Sequence, residues 1–327
     1  LKAIAGADVV VTDQLTPLSV VTGHARPGVE IIDASHGDHG QELTHASRAK
    51  LVVQAAKDHP GGRIVRLMDG DPTIFNGLAE EAQACRRAGI VIDIVPGVSA
   101  VTAVPAYAGV PLTSPACSSV VVISAGSSAV DYHHATADSV SVVLLGGARE
   151  LAIGLASLAE AGRAGTTPVA LIERGTTTEQ HTVVTTIERA ATVVAELGHP
   201  SLAIVGPTVA LHDQLAWFES KPLFGWKVLV PRTKEQSTPV TGALAAHGAC
   251  GVVVPTISVE PPRTRHQMDK AITGLVTGRY EWVGFTSVNA VRAVRERFEE
   301  FGLDARAFAG LKIAAVGGGT AEALRAW

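Results

Sequence analysis

The sequence predicts an α/β protein: two lobes, each a sheet wrapped by helices, followed by a further α/β segment. Three observations carry that expectation. Short apolar runs alternate with helical stretches along the whole chain, the pattern of strands covered on both faces. Residues 63–100 read strand, Gly-Asp-Pro turn, helix, strand, Pro-Gly turn, helix. After residues 219–225 (ESKPLFG) the strand–helix alternation starts again.

The elements follow in order. Residues 7–12 (ADVVVT) form a buried strand that stops at Asp13, and residues 29–32 form another. Residues 36–40 (HGDHG) are a loop, and residues 41–58 a helix with Leu51/Ala55 and Val52/Ala56 at i,i+4 spacing. Residues 63–68 (RIVRLM) form a strand ending at Asp69-Gly70-Asp71-Pro72, with a helix over 77–88. Residues 90–95 (IVIDIV) form a strand ending at Pro96-Gly97-Val98-Ser99-Ala100, where the next helix opens. Residues 107–113 (YAGVPLT) close the first lobe, so its limits are 1–113.

The second lobe, 114–219, has strands at 119–124, 140–145, 168–172 and 202–205, and an edge strand near 182–184. Its helices lie at 149–161, 186–197 and 208–218, the last with Leu211, Leu215 and Phe218 on one face. Residues 220–225 are the linker. In the final segment, 226–327, strands fall at 227–230, 251–254, 282–285 and 311–316, and helices at 235–247 and 289–301. Val291, Val294, Phe298 and Phe301 make the apolar stripe of the second helix, opposite Arg292, Arg295, Glu296 and Glu299.

Composition excludes some classes. With 327 residues and 46% hydrophobic content, the chain can bury two or three cores. No apolar run reaches the roughly 18 residues that span a bilayer. A net charge of −4, a pI near 6.3 and 4% aromatics argue against a nucleic-acid surface. Cys85, Cys117 and Cys250 are isolated, so no thiolate metal site is expected and a reducing, cytoplasmic setting is. No signal peptide opens the chain. The start at Leu1, inside a helical-looking stretch, and the stop at Trp327 suggest a fragment.

In an open α/β sheet a small ligand binds outside the carboxyl ends of the strands. The two turns at 69–72 and 96–100 are therefore expected to line one crevice, with backbone approaching the ligand at glycine. Each also has an architectural reading: Asp71 before Pro72 and Ser99 before a helix are both good caps. Asp13 is equally a turn residue after a strand. His36 and His39 read as a solvated loop rather than a metal site, because no further ligands are indicated. Gly317-Gly318-Gly319 lacks nucleotide-loop spacing and reads as a strand-to-helix turn.

Six segments in order, VVVTDQL, RLMDGDPTIF, VPGVSA, PAYAGVPLT, TPVALIERGT and LAIVG, together resemble the uroporphyrinogen-III C-methyltransferases of the tetrapyrrole methylase superfamily. The resemblance covers about the first 219 residues. PLFGWKVLVPRT, GFTSVNAV and GLDARAFAGLKIAAVGGGTAEAL are similar to the first half of uroporphyrinogen-III synthase. The resemblance implies a two-lobed tetrapyrrole methylase fold, its first strand and glycine loop missing here, followed by a partial α/β uroporphyrinogen-III synthase domain. It implies S-adenosyl-L-methionine between the lobes, a tetrapyrrole substrate methylated to precorrin-2, and a homodimer. By motif position, cofactor contacts fall on Gly70, Asp71, Ile74, Ser99, Ala100, Leu145 and Gly175, and the proton acceptor on Asp13. Substrate carboxylates fall to Arg66 and His36, and in the synthase-like part to Arg232, Thr286, Ser287 and Asn289; Ser287 and Asn289 read equally as helix caps.

Several family residues differ. Its Asp-Arg-Leu reads Asp13-Gln14-Leu15, its proton-donor Lys aligns to Ala34, and its Lys-Gly-Gly-Asp-Pro reads Met68-Asp69-Gly70-Asp71-Pro72. Its Phe-Gly-Arg-Gly-Gly-Glu-Glu reads Phe75-Asn76-Gly77-Leu78-Ala79-Glu80-Glu81. Lost cations weaken the grip on a polycarboxylate unless Arg26, Arg63, Arg66 or His36 substitute. Two rivals stay open: a methylase of another corrin precursor, and a degenerate methylase that binds cofactor as a scaffold for the synthase.

Overall fold

The computed structural model describes residues 1–13, 18–37, 40–127, 129–231, 234–254 and 265–327. Two compact units result: Leu1–Val228 with Gly242–Gly251, and Leu229–Thr241 with Val252–Trp327.

The first unit opens with α1 (Lys2–Ala5), β1 (Val9–Thr12), α2 (Leu18–His24), β2 (Glu30–Asp33), α3 (His45–Asp58) and β3 (Ile64–Arg66). The strands form a parallel sheet in the order β2-β1-β3, with Val11 opposite both Ile32 and Arg66. Strand β1 is buried along its whole length because both faces are covered. Val9 and Val11 pack with Val52 and Ala55 of α3, while Val10 packs with Val21 of α2. Helix α3 starts at His45 rather than at 41, because Thr44 accepts the Ser47 amide at 3.2 Å and caps it there.

Helices α4 (Leu78–Arg87) and α5 (Ala100–Tyr107) follow. The expected strand at 90–95 does not form. These residues have no ladder partner among the described residues, and Val91 is 94% exposed. β-propensity marks a segment that suits a sheet; it does not supply the neighbouring strand.

The next elements are β4 (Ser119–Ser124), β5 (Val140–Leu145), α6 (Ala148–Glu160), β6 (Pro168–Glu173), β7 (His181–Thr186), α7 (Ile187–Glu196) and β8 (Pro200–Val205). They build a mixed five-stranded sheet, β4-β5-β8-β6-β7, with β7 at the expected edge. Alternate residues face opposite cores. Val142, Leu144, Val169 and Leu171 meet Leu151, Leu155 and Leu158 of α6. Val143, Ala170, Ile172 and Ile204 meet Val101 and Val104 of α5. Helix α5 thus fastens the two expected lobes into one unit. Leu144→Ala is expected to cost about 2–5 kcal/mol, measurable by urea unfolding, since Leu144 is fully buried.

The helix expected at 208–218 is shorter. A 3-10 turn, Pro207–Leu211, runs into α8 (His212–Leu215), and the chain then bends so that Trp217 Nε1 donates to the Ala106 carbonyl at 2.9 Å. Phe218 stacks edge-on to Tyr107 with 4.6 Å between centroids. Just before the linker, Glu219 accepts from Gln180 at 2.8 Å and from Thr182, and within the linker Phe224 packs edge-on to Phe218 at 5.3 Å between centroids.

Strands β9 (Lys227–Val230) and β10 (Cys250–Val253) pair, and α9 (Lys234–Ala246) lies between them in sequence. In the second unit, α10 (Arg265–Val276) precedes β11 (Trp282–Phe285), α11 (Val288–Glu300), β12 (Lys312–Ala315) and α12 (Gly318–Arg325). β11 and β12 are parallel, and Phe285, Val291, Phe298, Phe308 and Ile272 form the core. Neither α2 nor α10 is expected from the sequence.

Candidate functional site

The two turns meet. Gly70 adopts φ +59°, and a Cβ built on it would lie 3.5 Å from the Ser99 Cα. The Gly97 amide donates to Asp71 Oδ2 at 3.0 Å. A Cβ on Gly97 would be driven into the Gly70 carbonyl oxygen. Asp71 does not cap a helix: its Oδ1 accepts the Thr73 amide at 2.8 Å and the Thr73 hydroxyl, closing an Asx turn. Those bonds and the Gly97 amide hold the Asp71 carboxyl below the usual carboxylate range. Asn76 pins the loop from below by donating to the Asp69 and Asp71 carbonyls. Ser99 does cap α5, accepting the Val101 amide at 3.2 Å, and Ala100 is its first residue.

The remaining expected cofactor residues gather around the same helix. Ile74 and Leu145 are half-buried against the core that Val101 and Val104 share. At Gly175 a Cβ would come within 2.6 Å of the Val104 side chain, so the turn after β6 can approach α5 only as glycine. Three non-glycine residues among those described have positive φ: Phe75 (54°), Arg174 (45°) and Thr176 (69°). All three flank Ile74 or Gly175. Strained backbone of this kind clusters where a ligand is gripped.

Asp13 sits at the end of β1, its side chain 11% exposed. Its Oδ2 accepts from Arg66 Nη2 at 2.9 Å. Its Oδ1 is buried and has no hydrogen-bond partner among the described residues. Arg66, 9% exposed, also donates through Nε to Glu81 Oε2 at 3.0 Å, and Glu81 is only 4% exposed. Arg66 is thus committed to two carboxylates of this chain, which leaves it a clamp on Asp13 rather than a free cation for substrate. Sequence reasoning missed Glu81. Its signal was a carboxylate one helical turn before Cys85, on the buried face of α4. Asp69 is exposed three residues beyond β3; partial loss of water and then the Asp13 charge push its carboxyl up.

Ala34 is fully buried and carries no proton. Arg48, unmarked in the sequence, donates to the Ala34 carbonyl at 3.1 Å and places a guanidinium beside that position. His36 is exposed in the loop after β2. A separate groove of about 1090 Å³ lies between α4 and β4, lined by Phe75, Asn76, Arg86, Ile92, Val122 and His134 among others. It contains none of the expected cofactor or catalytic residues. In the second unit Ser287 caps α11, accepting the Ala290 amide at 3.2 Å, with Thr286 exposed before it and Asn289 half-buried in the first turn. Arg232 and His39 lie outside the described residues. Among the described residues no group of three metal-ligating side chains comes together, and no helix is long and apolar enough to cross a membrane.

Residues 1–191 match the family described as Tetrapyrrole (Corrin/Porphyrin) Methylases. The chain belongs to that family. Residues 238–327 match the family described as Uroporphyrinogen-III synthase HemD. The order of the two agrees with a methylase fused to a synthase-like segment. The chain is 30% identical over 99% of its length to the "Porphyrin biosynthesis protein HemD" of Ruminiclostridium josui, and spans 65% of that protein. It is 33% identical over 65% of its length to the "S-adenosyl-L-methionine-dependent uroporphyrinogen III methyltransferase" of Methanosarcina barkeri, of which it covers 86%. It spans about half, 47%, of a Klebsiella pneumoniae "Siroheme synthase 1". Among solved structures, the uroporphyrin-III C-methyltransferase of Thermus thermophilus complexed with S-adenyl homocysteine matches with a TM-score of 0.51 at 27% identity, covering 64% of this chain and 84% of that one. Membership places this tetrapyrrole methylase in a family of methyltransferases.

Gly97→Ala in this methylase is expected to push the 96–99 turn off Gly70. The loss of affinity for S-adenosylhomocysteine should exceed tenfold, about 1.4 kcal/mol, by calorimetry, with Gly242→Ala as a control in open space.

Proposed function

We propose that this chain is an S-adenosylmethionine-dependent C-methyltransferase that converts uroporphyrinogen III to precorrin-2, joined to a segment of uroporphyrinogen-III synthase that acts on hydroxymethylbilane. The observation that carries the reading is the meeting of two βα corners, through Gly97 and Asp71, together with a strand-end carboxylate, Asp13, whose buried Oδ1 has no partner among the described residues. The named activity of the Methanosarcina relative and the S-adenyl homocysteine complex of the Thermus structure support the cofactor.

The corner fits the group by its chemistry: glycine backbone at Gly70 and Gly97, a helix start at Ser99 and Ala100, and an apolar wall of Ile74 and Leu145. Those residues, with Asp71 and Gly175, would hold it. When bound, S-adenosylmethionine supplies a methyl group already activated by the sulfonium charge. The protein's task is then alignment and proton removal. Asp13 takes the proton that the methylated ring carbon must lose. Arg66, itself held by Glu81, fixes the Asp13 carboxylate in one orientation. Arg48, which donates to the Ala34 carbonyl and pairs with the exposed Glu42 at 3.5 Å, and the exposed His36 flank the missing lysine position, and we assign the acetate and propionate arms to them.

The test is transfer of label from methyl-labelled S-adenosylmethionine to uroporphyrinogen III under anaerobic conditions. Dimethylated product supports the reading; labelled product only with a later corrin precursor moves the substrate. The burial of Ala34 favours a second reading, a methylase that keeps its cofactor as a scaffold module. Tight cofactor binding with no transfer to any tetrapyrrole would select it.

A further inference from the structure

The turn after β6 is bent against its own preference. Arg174 and Thr176, on either side of Gly175, both take left-handed backbone, φ +45° and +69°. Neither is a glycine, so each angle costs energy that nearby contacts must offset. Gly175 itself lies hard against α5, where a Cβ would meet the Val104 side chain. Three sets of contacts reach this turn. Thr177 closes it locally: its hydroxyl donates to the Arg174 carbonyl at 2.7 Å and accepts the Glu179 amide at 3.2 Å. Glu179 pairs with Arg174 and with Lys227 in exposed positions, where an ion pair holds little. The third set is buried. Gln180, 3% exposed, accepts the Thr176 amide through Oε1 at 2.7 Å. Its Nε2 donates to Glu219 Oε1 at 2.8 Å. Glu219 accepts in turn from the Thr182 hydroxyl and from the Thr182 amide at 3.3 Å. A carboxylate can only accept, so Glu219 fixes which end of the Gln180 amide faces it and leaves the carbonyl oxygen for Thr176. Shielded from water, this pin is stronger than the two exposed sets and costs more when half-made.

We propose that Gln180, oriented by Glu219, is a positioning residue for the cofactor: it holds residues 174–176 in their strained form and so keeps Gly175 on α5, the helix that Ser99 and Ala100 open. The proposal rests on the placement of S-adenosylmethionine against Gly175 in the reading above. Gln180 acts through the Thr176 amide and need not touch the ligand. Glu219 acts through Gln180. Because Glu219 is the residue just before the linker, the cofactor turn is tied to the segment of chain that leads into it. A plain structural role, bracing the β6–β7 connection and nothing more, is the competing account. It differs in one respect: the brace would not care whether residue 176 is strained.

The test is calorimetry of S-adenosylhomocysteine binding to the full chain. Gln180→Leu removes both bonds and should weaken binding on the order of tenfold, the scale of a buried hydrogen bond left unmade. Glycine takes positive φ freely, so Thr176→Gly relieves the strain that the pin opposes. In that background Gln180→Leu should cost about threefold or less, and the difference is the coupling between the two positions. An equal loss in both backgrounds is the plain brace and overturns the proposal, as does unchanged affinity in Gln180→Leu. A second series decides the matter if Gln180→Leu does not fold. Gln180→Glu alone sets two carboxylates face to face and should weaken binding. Adding Glu219→Gln puts a donor opposite an acceptor again and should recover it; no recovery overturns the proposal. In turnover, Gln180→Leu should raise KM for S-adenosylmethionine while kcat stays within about twofold. If the unaltered chain binds S-adenosylhomocysteine but methylates no tetrapyrrole, the functional reading falls while the affinity series still decides this one. If it binds none, the cofactor placement and the pin fall together.

Discussion

Asp13→Asn is expected to slow methyl transfer at least a hundredfold, the scale of a lost general base, while S-adenosylhomocysteine binds as before. The amide keeps the shape of the carboxylate and cannot accept a proton. Its position at the end of β1 is fixed by a strand buried on both faces, and Arg66 keeps the Glu81 carboxylate as its charged partner, so the chain should still fold. The pairing of unchanged binding with lost turnover is what distinguishes a base from a structural carboxylate. A variant that loses both equally would place Asp13 in the scaffold instead.

Arg66→Met is expected to destabilise the first unit strongly. The guanidinium joins Asp13 and Glu81, both largely removed from water. Removing one member of a buried ion pair typically costs about 3–5 kcal/mol because the partner charge stays behind. Urea unfolding should show a lowered midpoint with the slope unchanged. The double variant Arg66→Met/Glu81→Gln should recover part of the loss, since one stranded charge is then neutral. A surface cation would behave otherwise. Losing Arg295, whose bond to Glu299 is solvent-exposed, should cost well under about 1 kcal/mol.

Those two residues show where the sequence could be read and where it could not. Asp13 was legible because a strand of continuous apolar residues must stop somewhere, and a carboxylate after ADVVVT marks the stop. The Gly-Asp-Pro and Pro-Gly-Val-Ser turns were legible for the same local reason. Arg66 was misread as a substrate cation because its partners are remote: Asp13 is 53 positions away and Glu81 is 15. No window of sequence contains that pairing. The strands at 140–145 and 168–172 came through because each is buried and carries its own apolar signal, and 119–124, an edge strand buried only at Ile123, came through on its apolar run. Residues 90–95 carry an equal apolar signal yet form no ladder, since pairing is a property of the neighbour. Residues 208–218 fail differently. Tyr107 and Phe218 turn the chain back before the helix can extend, and that tertiary contact overrides the helical stripe. Ser287 shows the opposite case, where the plain reading as a cap holds in the structure.

The central claim is that the 69–74 and 96–100 turns, with Leu145 and Gly175, form one pocket for a sulfonium nucleoside. Backbone amide NMR of the chain titrated with S-adenosylhomocysteine tests it without depending on substrate or turnover. The account predicts saturating shifts at Gly70, Gly97, Ser99, Ala100 and Gly175 that share one dissociation constant. Shifts confined to the α4–β4 groove around Asn76, Ile92 and His134, or no shifts at the two turns, would contradict it.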